Sequence, residues 1–429
     1  MSEFRGYKGK SLEFLQSHNV KVGDSIKIQS DLTYEGTLMP RYEGSSEDRL
    51  VLKLRSGYNI GIEVKEISNI IKLQVDEKPI IKNDKISTKE GLENILLLST
   101  GGTIASKIDY RTGAVTPAVT PEELHASVPE LAEIANITPK ILFSEYSENL
   151  QPEHWIKIAE ELNNVKDSDY KGIIIAHGTD TMQYTASYLS FALAGFPIPI
   201  AMVGSQRSSD RPSSDAALNL IAASRFLTNT DEKGVFVIMH HNENDDAVAV
   251  HMGTRVRKNH TSKRCAFQNV GGIPAFLILD EKIQKNISEK FFKQKEYSPR
   301  INLDTKVALV KYHPGYDSKI LDVIIESGFK AIIFEGTGLG HVGKTMYESI
   351  KKANERGIFL GMTSQCIDGR VRMTVYESGR DLLDMGIKPL QNMIPETALV
   401  KAMWATGNAK NIDEINNLML TNIASEFSD

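Results

Sequence analysis

Leu96-Leu97-Leu98-Ser99-Thr100-Gly101-Gly102-Thr103-Ile104-Ala105 is an apolar run that passes directly into a Gly-Gly turn and a threonine, well inside the chain. A second stretch repeats the design: Ile173-Ile174-Ile175-Ala176 leads into His177-Gly178-Thr179-Asp180-Thr181. Short runs that are apolar at every position suit strands buried on both faces, the condition of a parallel sheet covered by helices. In an open parallel sheet the carboxyl ends of the strands meet at one edge, where ligands bind. Two hydroxyl-bearing turns then face each other across that edge.

A threonine hydroxyl is a weak nucleophile at neutral pH. It needs a neighbouring base to draw off its proton and preorganised donors to hold the oxyanion it creates. Thr103 is the candidate nucleophile. Gly101 and Gly102 allow a sharp turn and a close backbone approach, and the amides around Gly178 and Thr179 are candidate oxyanion donors. The competing reading is an ordinary strand-to-helix turn, where glycine and threonine serve as punctuation and caps. A third stretch, Gly253-Thr254-Arg255-Val256-Arg257-Lys258-Asn259-His260-Thr261, follows another β-like run, Val235 to Met239. Desolvation favours the neutral, proton-accepting form of a lysine, so Lys258 is a candidate base, with Asp180 to orient it. Spacing alone equally describes a solvated cationic loop.

From residue 92 onward, short β runs alternate with amphipathic stretches. Strands are expected at Ile95 to Ser99, Ile173 to Ala176, Ile198 to Val203 and Val235 to Met239, with helices near His154 to Asn163, Thr181 to Leu193 and Ser213 to Leu227. Such alternation predicts βαβ units and a parallel sheet. A Lys- and Glu-rich tract from 280 to 303 then separates a second α/β unit, residues 304 to 429, with strands at Val307 to Lys311, Ala331 to Glu335 and Ile358 to Met362. Ahead of these, Val22 to Ile28, Tyr34 to Pro40, Leu50 to Leu54 and Ser56 to Val64 are short strand candidates with glycine-containing turns, which predicts a small β-barrel over residues 1 to 75 and a polar linker at 76 to 91. The chain of 429 residues exceeds one core, so three domains are expected.

A net charge of −5 gives no sign of a general polyanion binder. Residues 1 to 85 hold 14 basic and 13 acidic residues, a difference of +1, so the barrel lacks the strong positive field that dominates phosphate binding and reads more as a protein-docking module. No apolar run approaches a membrane span, and Met1-Ser2-Glu3-Phe4-Arg5 carries no signal region. Cys265 and Cys366 cannot form a disulfide framework, so a reducing cytoplasm is expected. His240, His241, His251 and His260 lack zinc-site spacing, and no metal is expected. Gly336-Thr337-Gly338-Leu339-Gly340 follows a strand but has neither dinucleotide nor P-loop spacing; a close backbone approach is expected there.

Thr-Gly-Gly-Thr-Ile-Ala at 100 to 105, His-Gly-Thr-Asp-Thr at 177 to 181 and the lysine of Val-Arg-Lys-Asn-His-Thr at 256 to 261 resemble the signatures of the asparaginase/glutaminase family. The resemblance extends to Val203 to Arg207, Ser214 to Leu220 and Pro395 to Lys401, and covers roughly residues 92 to 429. It implies that Thr103 forms an acyl-enzyme with a side-chain amide while Thr179, Asp180 and Lys258 complete proton transfer. Ser147, Glu148, Gly178 and Asp180 would bind the substrate. The family usually carries Gln or Ser where Glu148 stands. Tyr110 is the nearest match to the family's mobile tyrosine and is left outside the catalytic set.

Ordinary asparaginases begin at the Thr-Gly-Gly-Thr strand. A barrel placed before such an enzyme, with Gly36 to Pro40 and Leu50 to Leu54 carrying the likeness, resembles the D-type subunit family of archaeal glutamyl-tRNA(Gln) amidotransferases. That resemblance implies a cytoplasmic glutaminase, a homodimer within a heterotetramer, which supplies ammonia to an E-type partner subunit. The partner, using ATP and Mg, would convert Glu-tRNA(Gln) to Gln-tRNA(Gln). No cofactor is expected on this chain. A free-standing cytoplasmic L-asparaginase is the alternative, and an inactive binding protein a third reading against which the intact Thr103, Thr179, Asp180 and Lys258 argue. One methylene in a pocket changes binding by only about 1 to 3 kcal/mol, so glutamine and asparagine are not separated by sequence.

Overall fold

The computed structural model describes residues 4, 6–41, 46–54, 59–73, 89–101, 106–109, 114–117, 128–207, 214–288 and 296–428. Thr103 and Tyr110 lie outside the described residues.

The amino-terminal unit pairs a helix, α1 (Gly9–Ser17), with five strands, β1 (Ser25–Gln29), β2 (Thr33–Leu38), β3 (Arg49–Leu54), β4 (Asn59–Glu63) and β5 (Asn69–Lys72). They form an antiparallel sheet in the order β4-β3-β2-β1-β5, curled round its own core of Leu15, Val20, Ile26, Ile28, Leu38, Leu50, Leu52 and Ile62. Alternation explains it: Ile26 and Ile28 are fully buried while Lys27 between them is paired with Glu35 at the surface.

The second unit has β6 (Asn94–Ser99), the hairpin β7 (Ser106–Asp109) and β8 (Ala114–Pro117), β9 (Asn136–Ile141), α2 (Pro152–Asn164), β10 (Gly172–Ala176), α3 (Met182–Ala192), β11 (Ile200–Val203), α4 (Ala216–Asn229), β12 (Val235–His240), β13 (Val248–Met252), β14 (Val256–Lys258), β15 (Phe267–Asn269), β16 (Phe276–Leu279) and β17 (Lys282–Lys285). Its eight-stranded sheet runs β17-β16-β13-β12-β11-β10-β6-β9. The strands from β9 to β12 are parallel, and β13, β16 and β17 extend the sheet antiparallel. Ile173, Ile174 and Ile175 are all buried, two of them facing one core and one the other, and each such side chain stabilises by about 1.5 to 3 kcal/mol.

Two expectations are corrected. The strand expected from Ile198 starts at Ile200, because Pro199 has no N–H to donate and contributes only its carbonyl, to Ile173. The expected 280 to 303 connection begins inside the sheet: Lys282–Lys285 is the edge strand β17, its side chains alternately exposed and half-buried, paired with β16.

The third unit contains β18 (Val307–Lys311), α5 (Ser318–Glu326), β19 (Ala331–Gly336), α6 (Tyr347–Glu355), β20 (Phe359–Ser364), α7 (Glu377–Asp384), β21 (Lys388–Pro389), α8 (Pro395–Asn408) and α9 (Ile412–Leu420). Its four strands, β18-β19-β20-β21, are parallel. The two α/β units share a core. Ala398, Ala402, Trp404 and Ala405 of α8 belong to one buried cluster with Trp155, Tyr188, Leu189 and Phe191 of the second unit, and Phe191 stacks on Trp404 at 5.8 Å between ring centres. Beneath it, the fully buried Lys401 ammonium is satisfied by the carbonyls of Met419 and Thr421 and by the Glu426 carboxylate, which fixes the segment after α9.

Candidate active site

Three strand exits are stitched together at the carboxyl edge of the eight-stranded sheet. After β6, the Thr100 amide and hydroxyl both donate to the Ala176 carbonyl at the end of β10, at 3.0 and 2.9 Å. The His177 amide then donates to Val203 at the end of β11. Gly101 follows at φ 113°, and a Cβ there would stand 2.3 Å from the Glu145 carbonyl oxygen, so only glycine fits.

His177 is buried, and burial pushes its imidazole pKa down to about 4, so the ring is neutral at pH 7. Its Nδ1–H donates to the Gly178 carbonyl at 2.6 Å, which leaves Nε2 to accept from the Thr185 hydroxyl at 2.9 Å. The turn is thereby held against the first residues of α3. Gly178 abuts Ser147: a Cβ on it would lie 2.7 Å from the Ser147 Cβ. The Thr181 hydroxyl donates to the Ser147 carbonyl at 2.7 Å. Ser147 is therefore a buried neighbour of the turn, whereas Glu148 is exposed beside it.

Lys258 reaches this turn from β14. Its ammonium donates to the Thr179 hydroxyl at 2.8 Å and to an Asp180 carboxylate oxygen at 2.7 Å. The lysine side chain is 9% exposed and the aspartate 66%, so the cation is largely shielded while the carboxylate opens to solvent. Residues from two distant stretches of sequence thus converge as hydroxyl, ammonium and carboxylate, the set a proton relay requires. Tyr184, in the first turn of α3, lies near Arg257 and Glu396; its pKa is raised by burial first and by the Glu396 charge second. Sequence reasoning missed Arg257 and Glu396, which form an ion pair at 3.0 Å on the residue before Lys258. An arginine preceding the lysine was visible in sequence, but its partner lies in another unit.

Among the described residues no group of three or more His, Cys, Asp or Glu is arranged to hold a metal ion. No described helix is long and apolar enough to cross a membrane. Cys265 and Cys366 are both free, one half-buried and one exposed.

The fold and cluster define an asparaginase-type protein. Residues 94–290 match the family model "Asparaginase, N-terminal", and residues 306–419 match "Glutaminase/Asparaginase C-terminal domain". The thermostable L-asparaginase from Thermococcus kodakarensis superposes with a TM-score of 0.71 at 30% identity, covering 78% of this chain and 99% of its own. L-asparaginase I from Vibrio cholerae gives 0.69 at 25% identity, over 79% and 99%. Residues 20–73 match the "GatD N-terminal domain". The D-type subunit of glutamyl-tRNA(Gln) amidotransferase from Sulfurisphaera tokodaii is 47% identical over 99% of this chain and 95% of its own length, and that of Pyrococcus abyssi 46% over 97% of each. The chain belongs to this family of glutamyl-tRNA(Gln) amidotransferase D-type subunits.

Proposed function

We propose that this chain is the glutaminase subunit of a tRNA-dependent amidotransferase. The observation that carries the reading is the Lys258–Thr179–Asp180 cluster, set in a chain whose likeness to the D-type subunits includes the amino-terminal unit. Thr103 attacks the side-chain carbonyl carbon of glutamine. The carbon–nitrogen bond breaks and ammonia leaves with a proton passed through the Thr179, Lys258 and Asp180 group. Water then cleaves the threonine ester and releases glutamate. Ser147, Glu148, Gly178 and Asp180 bind the amino-acid end of the substrate, and the Gly178–Thr179 amides face the developing oxyanion. Ammonia passes to an E-type partner subunit, which uses ATP and Mg to amidate Glu-tRNA(Gln) in the cytoplasm; this chain itself holds no cofactor.

An ammonia source that ran continuously would waste glutamine, so full activity belongs to the assembled complex. Glutamine hydrolysis by the full chain is expected to rise at least about tenfold when the E-type partner and Glu-tRNA(Gln) are added, a coupling of about 1.4 kcal/mol or more. Thr103→Ala should reduce turnover by several orders of magnitude in either setting; retention of more than about a tenth would remove Thr103 from its role. Full asparaginase activity in the lone chain, indifferent to both additions, would favour a free-standing asparaginase.

A further inference from the structure

Lys258 is delivered by a meagre piece of structure. Strand β14 has three residues and, among the described residues, pairs only with the three-residue β15, in a two-stranded ladder separate from the main sheet. So short a hairpin is marginal alone. Its neighbours supply the missing rigidity. On α8 of the third unit, the Thr397 hydroxyl donates to the Thr254 carbonyl at 2.9 Å, and the Glu396 carboxylate holds Arg257 at 3.0 Å. The Thr254 hydroxyl in turn donates to the Ala424 carbonyl at 2.9 Å, and Ser187 of α3 reaches both Thr397 and the Gly253 carbonyl.

The Glu396 to Arg257 contact sets the roll of the strand. Consecutive side chains on a strand point to opposite faces, so an anchor on Arg257 fixes the direction in which Lys258 leaves the other side. Net stability is a weak reason for a buried anchor of this kind. Glu396 is 7% exposed, and its second carboxylate oxygen is buried with no hydrogen-bond partner among the described residues. An unpaired buried acceptor carries a desolvation cost, and buried ion pairs are often replaceable by apolar groups without loss.

We propose that Glu396, with Thr397 beside it, is a positioning residue through which the third unit aims Lys258 at Thr179 and Asp180. The inference rests on the proposed role of Lys258 in turnover, and the test separates the two. Full-length chain carrying Glu396→Gln, Arg257→Met, Arg257→Lys, both Glu396→Gln and Arg257→Met, or Lys258→Met is assayed for hydrolysis of glutamine and of asparagine, with and without the partner subunit, and melted thermally. Glu396→Gln and Arg257→Met should each lower kcat at least about tenfold while KM changes less than about threefold and Tm falls by only a few degrees. The double variant should be no worse than the poorer single, since both break one contact. Arg257→Lys, which keeps a cation opposite Glu396, should retain more than about a third of wild-type kcat and serves as the folded reference if Glu396→Gln does not fold. A Glu396→Gln kcat within about twofold of wild type, beside an inactive Lys258→Met, overturns this inference alone. Equal loss in Arg257→Lys and Arg257→Met, matched by equal falls in Tm, also overturns it. An active Lys258→Met overturns the proposed role of Lys258 and this inference with it.

Discussion

At the end of β10 the chain reads His177-Gly178-Thr179-Asp180-Thr181, and at the end of β19 it reads Gly336-Thr337-Gly338-Leu339-Gly340. Both are glycine-and-hydroxyl exits from a buried parallel strand, and both sit at the carboxyl edge of their sheets. Their hydroxyls do different things. In the third unit Thr337 donates to the His341 carbonyl at 3.2 Å and Ser364, at the end of β20, donates to Gly338 at 2.6 Å, so each closes a loop of its own unit. Lys311, at the end of β18, pairs with Glu335 rather than with a hydroxyl. In the second unit the Thr179 hydroxyl instead receives a cation from a strand far along the chain. A glycine-rich exit is therefore a fold element common to both sheets. The crossing lysine distinguishes the site.

The contrast is broken most severely at Lys258. Lys258→Met should lower kcat for glutamine by about a thousandfold, in the range of a lost general acid–base group, while KM moves little. Ser364→Ala, the corresponding lesion in the third unit, should leave kcat within about twofold. Steady-state assays of the two variants side by side decide the point; a comparable loss in Ser364→Ala would mean that the second edge also takes part in turnover.

A smaller effect is expected from geometry. The Cβ introduced by Gly178→Ala meets the Ser147 Cβ at 2.7 Å and its Oγ at 2.8 Å, forcing the turn and Ser147 apart. Displacements near 1 Å cost up to about a hundredfold, so kcat/KM should fall by roughly ten- to a hundredfold with most of the fold intact. Unchanged kcat/KM would show that Ser147 does not need its present position.

The smallest effect concerns acid. His177 and His251 are buried and neutral, with pKa values pushed by burial down to about 4 and about 3, against the ordinary 6.5. Below about pH 6.5 the unfolded chain binds protons that the native chain refuses. Each histidine's contribution is therefore complete above that pH and is lost as pH falls toward its native value, at up to about 1.4 kcal/mol per pH unit. Denaturant unfolding at pH 7, 6 and 5 should show declining stability, and amide exchange should report the loss in the eight-stranded sheet. Loss confined to the four-stranded sheet would contradict this assignment.

Much of this was legible in the sequence, and the part that was not has a common cause. Runs such as Ile173 to Ala176 are short, rich in β-branched residues and apolar at every position, which together favour a strand covered on both faces. Thr179, Asp180 and Lys258 were legible from their motifs and do converge. The edge strands were not. Asn136–Ile141 contains Pro139 and only half-exposed or exposed residues, and Lys282–Lys285 is largely polar, so both become strands only because a paired neighbour offers its ladder. The Arg257 to Glu396 pair was invisible for a related reason: no local pattern announces a partner on a helix of another unit.

The core shared by α8 and the second unit also imposes an order of events during synthesis. A nascent chain emerges from the ribosome with Thr179, Asp180 and Lys258 long before Pro395, Glu396 and Thr397. Until those later residues arrive, Trp155, Tyr188 and Phe191 have no Trp404 or Ala405 to close over them, and the β14 segment lacks its contacts with Glu396 and Thr397. Assembly of the reactive cluster is thus postponed to the closing stage of translation, and a ribosome halted before residue 395 releases a polypeptide holding the chemical groups without the frame that aligns them.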